Sequence, residues 1–424
     1  MEFDLFTANE RWNSAKTNEN KMNKISISLF FLFTILVYYG QEKLTNKKGS
    51  EYEFEVVKEL EANPVQNQNR TGTCWSFSSL SFFESELQRL GKGTHNLSEM
   101  YIVRNAYIGK AENYLRMYGT FTFGQGGAFH DVPWVIKRCG IVPESVYDGL
   151  DYGSKIHLHE EMEKIMFAML KELAKKPQSG KLTPKWKTAF EGVVDAYLGE
   201  LPTNLNDFKF EVGGKAYNPF TYAEELDLNM QDYVSLTSYT HHPFYESFVL
   251  EVQDNWAMQQ SYNLPLDELM MVMEEAIMNG YTFAWGADVS EKGFSSRDAL
   301  AILPADESTI SQKGKDSRYF SSAGSEKISN AFMSPVEEKN VSQQERQNAF
   351  DSQETTDDHG MHITGLVKDQ NGTKYFKVKN SWGTEYNQCD GYFYASFPYM
   401  RYKTVNILLH KDAVPKSIKK KLGL

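Results

Sequence analysis

The tetrapeptide Asp369-Gln370-Asn371-Gly372 stands between two β-type runs, His362 to Val367 and Tyr375 to Val378. Asn-Gly accepts positive φ at little cost, so the pattern predicts a hairpin and fixes which residues become neighbours. His359 and Asn380 then fall at adjoining ends of paired strands. An amide beside an imidazole can set the ring's tautomer and direction, which makes the pair a candidate part of a catalytic site. A second constraint lies upstream. Phe77, Leu80, Phe83, Leu87 and Leu90 recur at helical spacing, which puts Cys74 at the start of a helix. A helix N-terminus favours the thiolate, the nucleophilic form of cysteine. Spacing alone leaves Cys74 open to two readings, a nucleophile or a small buried hydrophobe.

Three cysteines in 424 residues cannot make a disulfide framework, and an odd number leaves at least one thiol unpaired within the chain. For Cys139 and Cys389 the sequence allows either a pair or two buried thiols. A chain that is 41% hydrophobic and 24% charged is neither a collagen, a coiled-coil rod nor a disordered polymer. Its net charge of −11 gives no footprint for a polyanion, so nucleic acid is not an expected partner. The chain has no P-loop, no His-Glu-Xaa-Xaa-His and no Cys-Xaa-Xaa-Cys. His241-His242 and His157 with His159 show no further recognisable ligands, and neither metal nor cofactor is expected.

The apolar run Ile25 to Tyr39 follows Lys21, Met22 and Lys24 and ends at Gly40, the pattern of a secretory signal peptide rather than a spanning helix. Translation is expected to start at Met22, with residues 1–40 an extension plus signal, 41–53 a flexible leader and 54–424 the folded domain. The mature protein is then secreted or periplasmic, without stable membrane association. Helices are expected at Pro133 to Lys137, closing at Gly140, at Leu266 to Met278, and at Glu160 to Lys176 with Ile165, Met166, Met169, Leu170 and Leu173 on one face. Tyr281 to Val289 reads as a buried strand, and Asp306 to Gln347 as a polar surface excursion.

Local strings add a family likeness. The segment Pro64 to Ser78, with Gln68 six positions before Cys74, resembles the nucleophile segment of papain-like cysteine peptidases. Asn380-Ser381-Trp382-Gly383 is similar to that family's Asn-Ser-Trp-Gly, and Gly126-Gly127 resembles its paired cleft glycines. Thr71 stands where extracellular members usually carry a disulfide cysteine. His359 and Asn380 follow Cys74 by about 150 residues more than the papain spacing. His359-Gly360-Met361, Gly140 to Tyr147 and Ala287-Asp288-Val289 resemble the bleomycin hydrolase and aminopeptidase C branch.

The resemblance implies an α+β, two-lobed papain-like fold with an inserted region at about residues 150–350. It implies peptide hydrolysis through a thioester acyl-enzyme, with Cys74 as nucleophile, His359 as base then acid, Asn380 orienting the imidazole, and Gln68 with the Cys74 N–H as oxyanion donors. Gly126, Gly127 and Trp382 would face the substrate, Trp382 also shielding the His–Asn bond. Leu424 would carry the terminal carboxylate into the cleft to hold the substrate's α-amine, giving an aminopeptidase. Asp357 and Asp358 read as solvated loop charges. Peptide substrates, no cofactor and a possible homo-hexamer complete the expectation; an endopeptidase and a catalytically silent peptide-binding relative are the alternatives.

Overall fold

In the computed structural model, which describes residues 44–313 (apart from 176, 178 and 179) and 325–424, the expected helix and the expected hairpin pack against each other. Helix α1 (Cys74–Arg89) is buried on every side from Cys74 to Leu87. Around it lie α2 (Glu99–Arg116), α3 (Asp131–Cys139), α4 (Glu160–Leu173), α5 (Lys185–Leu198) and α6 (Pro219–Leu226). Their shared core includes Trp75, Leu80, Phe83, Tyr101, Tyr107, Met166 and Phe190; each such side chain removed from water contributes about 1.5–3 kcal/mol. Local signals set the ends. The Ser98 hydroxyl accepts from Tyr101 N–H at the start of α2, and Asn218 with Thr221 forms a capping box ahead of Pro219. Gly140, at φ +71°, closes α3. On α4 the buried stripe is Met162, Met166 and Leu170, while Ile165 is exposed, so the helix is turned from the expected face.

The other lobe is an 11-stranded sheet. Its strands are β1 (Glu55–Glu59), β2 (Tyr233–Thr237), β3 (Ser247–Val249), β4 (Gln260–Asn263), β5 (Phe283–Ala287), β6 (Phe294–Ser295), β7 (Leu300–Ala301), β8 (His359–Lys368), β9 (Lys374–Lys379), β10 (Tyr392–Ser396) and β11 (Thr404–His410). The order is β3-β4-β2-β11-β5-β8-β9-β10-β7-β6, with β1 paired to β8. The β8–β9 pair is the expected hairpin. Gly372 takes φ +84°, and the Asp369 side chain accepts from the N–H groups of Asn371 and Thr373 to close the loop. Helices α7 (Leu266–Met278), α8 (Gln343–Asp351), α9 (Phe397–Lys403) and α10 (Lys416–Leu422) complete this lobe. Strands β2 to β7 come from within 150–350, so that stretch builds part of the sheet.

Two expectations are corrected here. The leader is docked from Thr45 onward: the Asn46 amide donates to Asp298 O (2.8 Å) and Phe332 O (3.1 Å), and Tyr52 is buried with its hydroxyl on Ala331 O (2.9 Å). The polar excursion of Asp306 to Gln347 returns to the interior, because Phe332, Val341 and Arg346 are buried. The signal-peptide reading at 25–39 lies outside the described residues. Among the described residues no helix is long and apolar enough to cross a membrane.

Candidate active site

The lobes meet where α1 rests on β8. A Cβ added at Gly360 would stand 2.8 Å from Ser78 Oγ, so this contact requires glycine. Ser81 Oγ lies 3.0 Å from His362 Nδ1 and accepts from Lys379 Nζ at 2.7 Å. The loops beside this seam are also joined. Gln68 N–H donates to Ser381 O (2.8 Å) and Gly383 N–H to Gln66 O (3.1 Å). These bonds carry the segment before Cys74 up to the segment after Asn380.

A cavity of about 450 Å³ opens at the seam. Cys74, Trp75, Gly127 and His130 line it from the helical lobe, and His359, Gly360 and Asn406 from the sheet. Cys74 is the first residue of α1, and only 7% of it is exposed. His359 opens β8, opposite Ala287 of β5. Its Nε2 lies 2.7 Å from Asn380 Oδ1, an oxygen that also accepts Ser381 N–H at 2.8 Å. The amide oxygen is thus identified by its backbone donor, and His359 carries its proton on Nε2. Trp382 lies over the imidazole, with ring centroids 4.7 Å apart and 31° between planes. It covers the His–Asn bond.

Burial dominates the electrostatics. It pushes the Cys74 thiol up to about 12, against a lowering backbone hydrogen bond from Gly360, while the charges of Asp254 and Asp357 add to the rise. Burial also takes His359 down to about 4, with the Asn380 bond opposing. Burial thus favours the uncharged form of both groups. The helix start does not by itself make a resting thiolate.

Four sequence-based candidates, Cys74, His359, Asn380 and Trp382, come together here. Gly127 lines the cavity, and Gly126 lies next to it with its carbonyl accepting from Lys110 Nζ. Gln68 is not on the cavity wall. It is 2% exposed, its Nε2 donates to Thr71 O (2.7 Å), and its Oε1 accepts from Ser381 Oγ (2.6 Å). Leu424 is not brought to the cavity at all. Ile418 and Leu422 bury the apolar face of α10 in the sheet-lobe core, and Lys421 pairs with Glu268 (2.6 Å). Leu424 N–H donates to Lys419 O, leaving the side chain 38% exposed. The tail expected in the cleft is a docked helix on the sheet lobe.

Matching residues 330–423 is a family model described as the Peptidase C1-like family. Aminopeptidase G of Lactobacillus delbrueckii subsp. lactis is 22% identical over 398 residues, covering 84% of this chain and 83% of that protein. Aminopeptidase C of Streptococcus thermophilus is 22% identical over 407 residues, with 87% and 85% covered. The crystal structure of PepW from Lactobacillus rhamnosis superposes with a TM-score of 0.64 at 19% identity, over 87% of this chain and 84% of that one. The chain has the papain-like fold and is similar to the aminopeptidases C and G.

The cleft has further groups that sequence reasoning passed over. Asp357 and Asp358, read as solvated, line the cavity, as do Leu250, Val252, Asp254 and Asn255. Burial raises Asp357 well above the usual carboxylate range, and the nearby charges of Asp254 and Asp358 push the same way. The signal at 250–259 was weak because this segment has no periodicity. All three cysteines are free, so Cys139 and Cys389 do not pair. Glu251 joins His241 and His242, with donor atoms within 4.8 Å of one another, a third partner not foreseen for that pair.

Proposed function

We propose that this peptidase releases residues from the amino end of peptides through a thioester on Cys74. The carrying observation is the 2.7 Å contact of His359 Nε2 with Asn380 Oδ1, in a cavity that Cys74 also lines. The names of the relatives support the aminopeptidase part. With its proton fixed on Nε2, the imidazole acts as base through Nδ1. Cys74 Sγ attacks the scissile carbonyl carbon as its proton passes to Nδ1, a transfer consistent with burial favouring the uncharged form of both groups. The C–N bond then breaks, and Nδ1 returns the proton to the leaving amine. A water next gives a proton to Nδ1 while its oxygen attacks the thioester; the C–S bond breaks and the thiol is restored.

The oxyanion that forms in each half needs donors. Cys74 N–H has no partner among the described residues and stands at the positive end of α1. The second amide hydrogen of Gln68 is the other donor in this proposal, and it reaches the oxyanion only if Gln68, buried behind the cavity wall, turns toward it. Acid-quenched mass spectrometry tests the scheme: the enzyme should gain one aminoacyl mass, on Cys74. Turnover without that adduct, or an adduct surviving in Cys74→Ala, would reject it. N-acetylated peptides should be poor substrates, and turnover equal to that of unblocked peptides would leave an endopeptidase. Export is proposed with it, on the run Ile25 to Tyr39; a mature N-terminus still carrying that run would remove it.

A further inference from the structure

We propose that Asp254, with Asp357 and His130 beside it, receives the substrate's α-ammonium group, the task expected of the chain's own carboxyl end. This assignment rests on the aminopeptidase reading and names the residues that enforce it.

The segment Leu250 to Gln259 crosses the cavity as a strap, and its fastenings are specific. At one end Glu251 bonds His241 (3.1 Å) and His242 (2.7 Å). At the other, Trp256 Nε1 donates to Asp131 Oδ2 (2.6 Å), and Asn113 Nδ2 donates to Trp256 O (2.7 Å). Asn255 Nδ2 donates to Leu250 O and Gln259 O, both at 2.9 Å, closing the strap on itself. Asp254 sits between these fastenings. A Cβ on Gly126 would lie 2.0 Å from Asp254 Oδ2, so the carboxylate rests directly on the glycine backbone. The strap therefore covers Gly126 beside the cavity and presents a carboxylate there.

The acceptors lack donors. Among the described residues neither Asp254 nor Asp357 has a hydrogen-bond partner. The nearest cation, Lys110, places its Nζ on the carbonyls of Gly124 and Gly126 instead. His130 gives an independent third acceptor. Gln259 N–H donates to Asn255 Oδ1 (2.9 Å), which marks that atom as the oxygen, so the His130 Nε2 only 2.9 Å from it must carry the proton. The lone pair is then on His130 Nδ1, a buried atom with no partner, on a ring that lines the same cavity. Burial raises both carboxyls, and the Asp254 charge adds to the rise at Asp357, so a bound cation is what would hold them ionised; with the imidazole lone pair beside them they suit a group with three N–H donors and a positive charge. A primary ammonium is that group. Asp254 and Asp357 line the same cavity as Cys74, so the amine is held in the cleft where the thiol acts.

The test compares kcat/KM for a free aminoacyl amide of a fluorescent amine with that for its N-acetylated form. Wild type should favour the free amine. In Asp254→Asn that preference should fall about 10- to 100-fold, and Asp357→Asn should lower it as well. Labelling of Cys74 by iodoacetamide, a small neutral probe, reports whether the cleft of each variant is intact. A wild-type preference retained in both variants, with labelling intact, would overturn the assignment while leaving the aminopeptidase standing. A wild type with no preference would overturn the aminopeptidase reading itself.

Discussion

The two walls of the cleft are built on opposite plans. Cys74 stands at the end of one helix whose sequence is continuous and whose surroundings are buried throughout. His359 stands on a sheet gathered from residues 55 to 410, and its ring is held by Asn380 at 2.7 Å and by the plane of Trp382. The helical wall supplies a position, while the sheet wall supplies an orientation. Loss on the first should be nearly complete, whereas loss on the second should be graded, because a misdirected imidazole still samples useful directions.

Cys74→Ala gives the sharpest contrast. Turnover should fall by about 10⁴-fold or more, with little change in the thermal midpoint, since only a thiol leaves the helix end. Gln68→Ala comes next and tests the seam itself. If its second amide hydrogen meets the oxyanion, turnover should drop on the order of 10²–10³-fold. The same change strips partners from Thr71 O and Ser381 Oγ, which should cost about 1–3 kcal/mol of stability. A variant that loses stability and keeps its turnover would make Gln68 a strut between the walls. Asn380→Ala should lower turnover about 10²-fold while Cys74 still alkylates. No change in turnover would break the claim that the sheet wall works by orientation.

The two walls also differed in how readily they could be read. The Cys74 helix and the His359–Asn380 hairpin are local patterns, and local patterns survive folding. Helix α2 left no such trace, because Met100, Tyr101, Ile102, Val103, Ala106 and Tyr107 are buried around its circumference and show no stripe. The strap was silent for another reason. Asp254 gains its meaning from Gly126, and Asn255 from His130, pairings across more than a hundred residues that no spacing rule encodes. At Asp357 a charged residue in a loop was read as solvated; the turn before β8 brings it into the cavity instead.

The protonation of the pair offers a finer comparison of the walls. A thiol raised to about 12 and an imidazole lowered to about 4 leave Cys74 protonated and His359 neutral between those values. Raising the pH through neutrality then increases the thiolate fraction about tenfold per unit, and iodoacetamide labelling should climb with it. The labelling rate measured from pH 5 to 9 decides the matter. A level rate below pH 6 would mean that the thiolate–imidazolium pair already exists in the empty cleft, and that orientation by Asn380 outweighs burial.

The smallest expected effect belongs to the chain's end. Helix α10 is fixed to the sheet lobe by Ile418 and Leu422, with Lys419 on Asp412 and Lys421 on Glu268, both at 2.6 Å. Gly423, at φ +71°, turns the backbone out of the helix, and Leu424 ends beside Lys419. None of these contacts reaches Cys74 or His359. Deleting Gly423 and Leu424 removes no buried side chain, and kcat/KM for a free aminoacyl amide should stay within about twofold, well under the 1.4 kcal/mol that a tenfold change represents. A tail that swung into the cleft to hold the amine would give a large loss in the same assay. That result would move the amine-binding role from the strap across Gly126 to the carboxyl terminus.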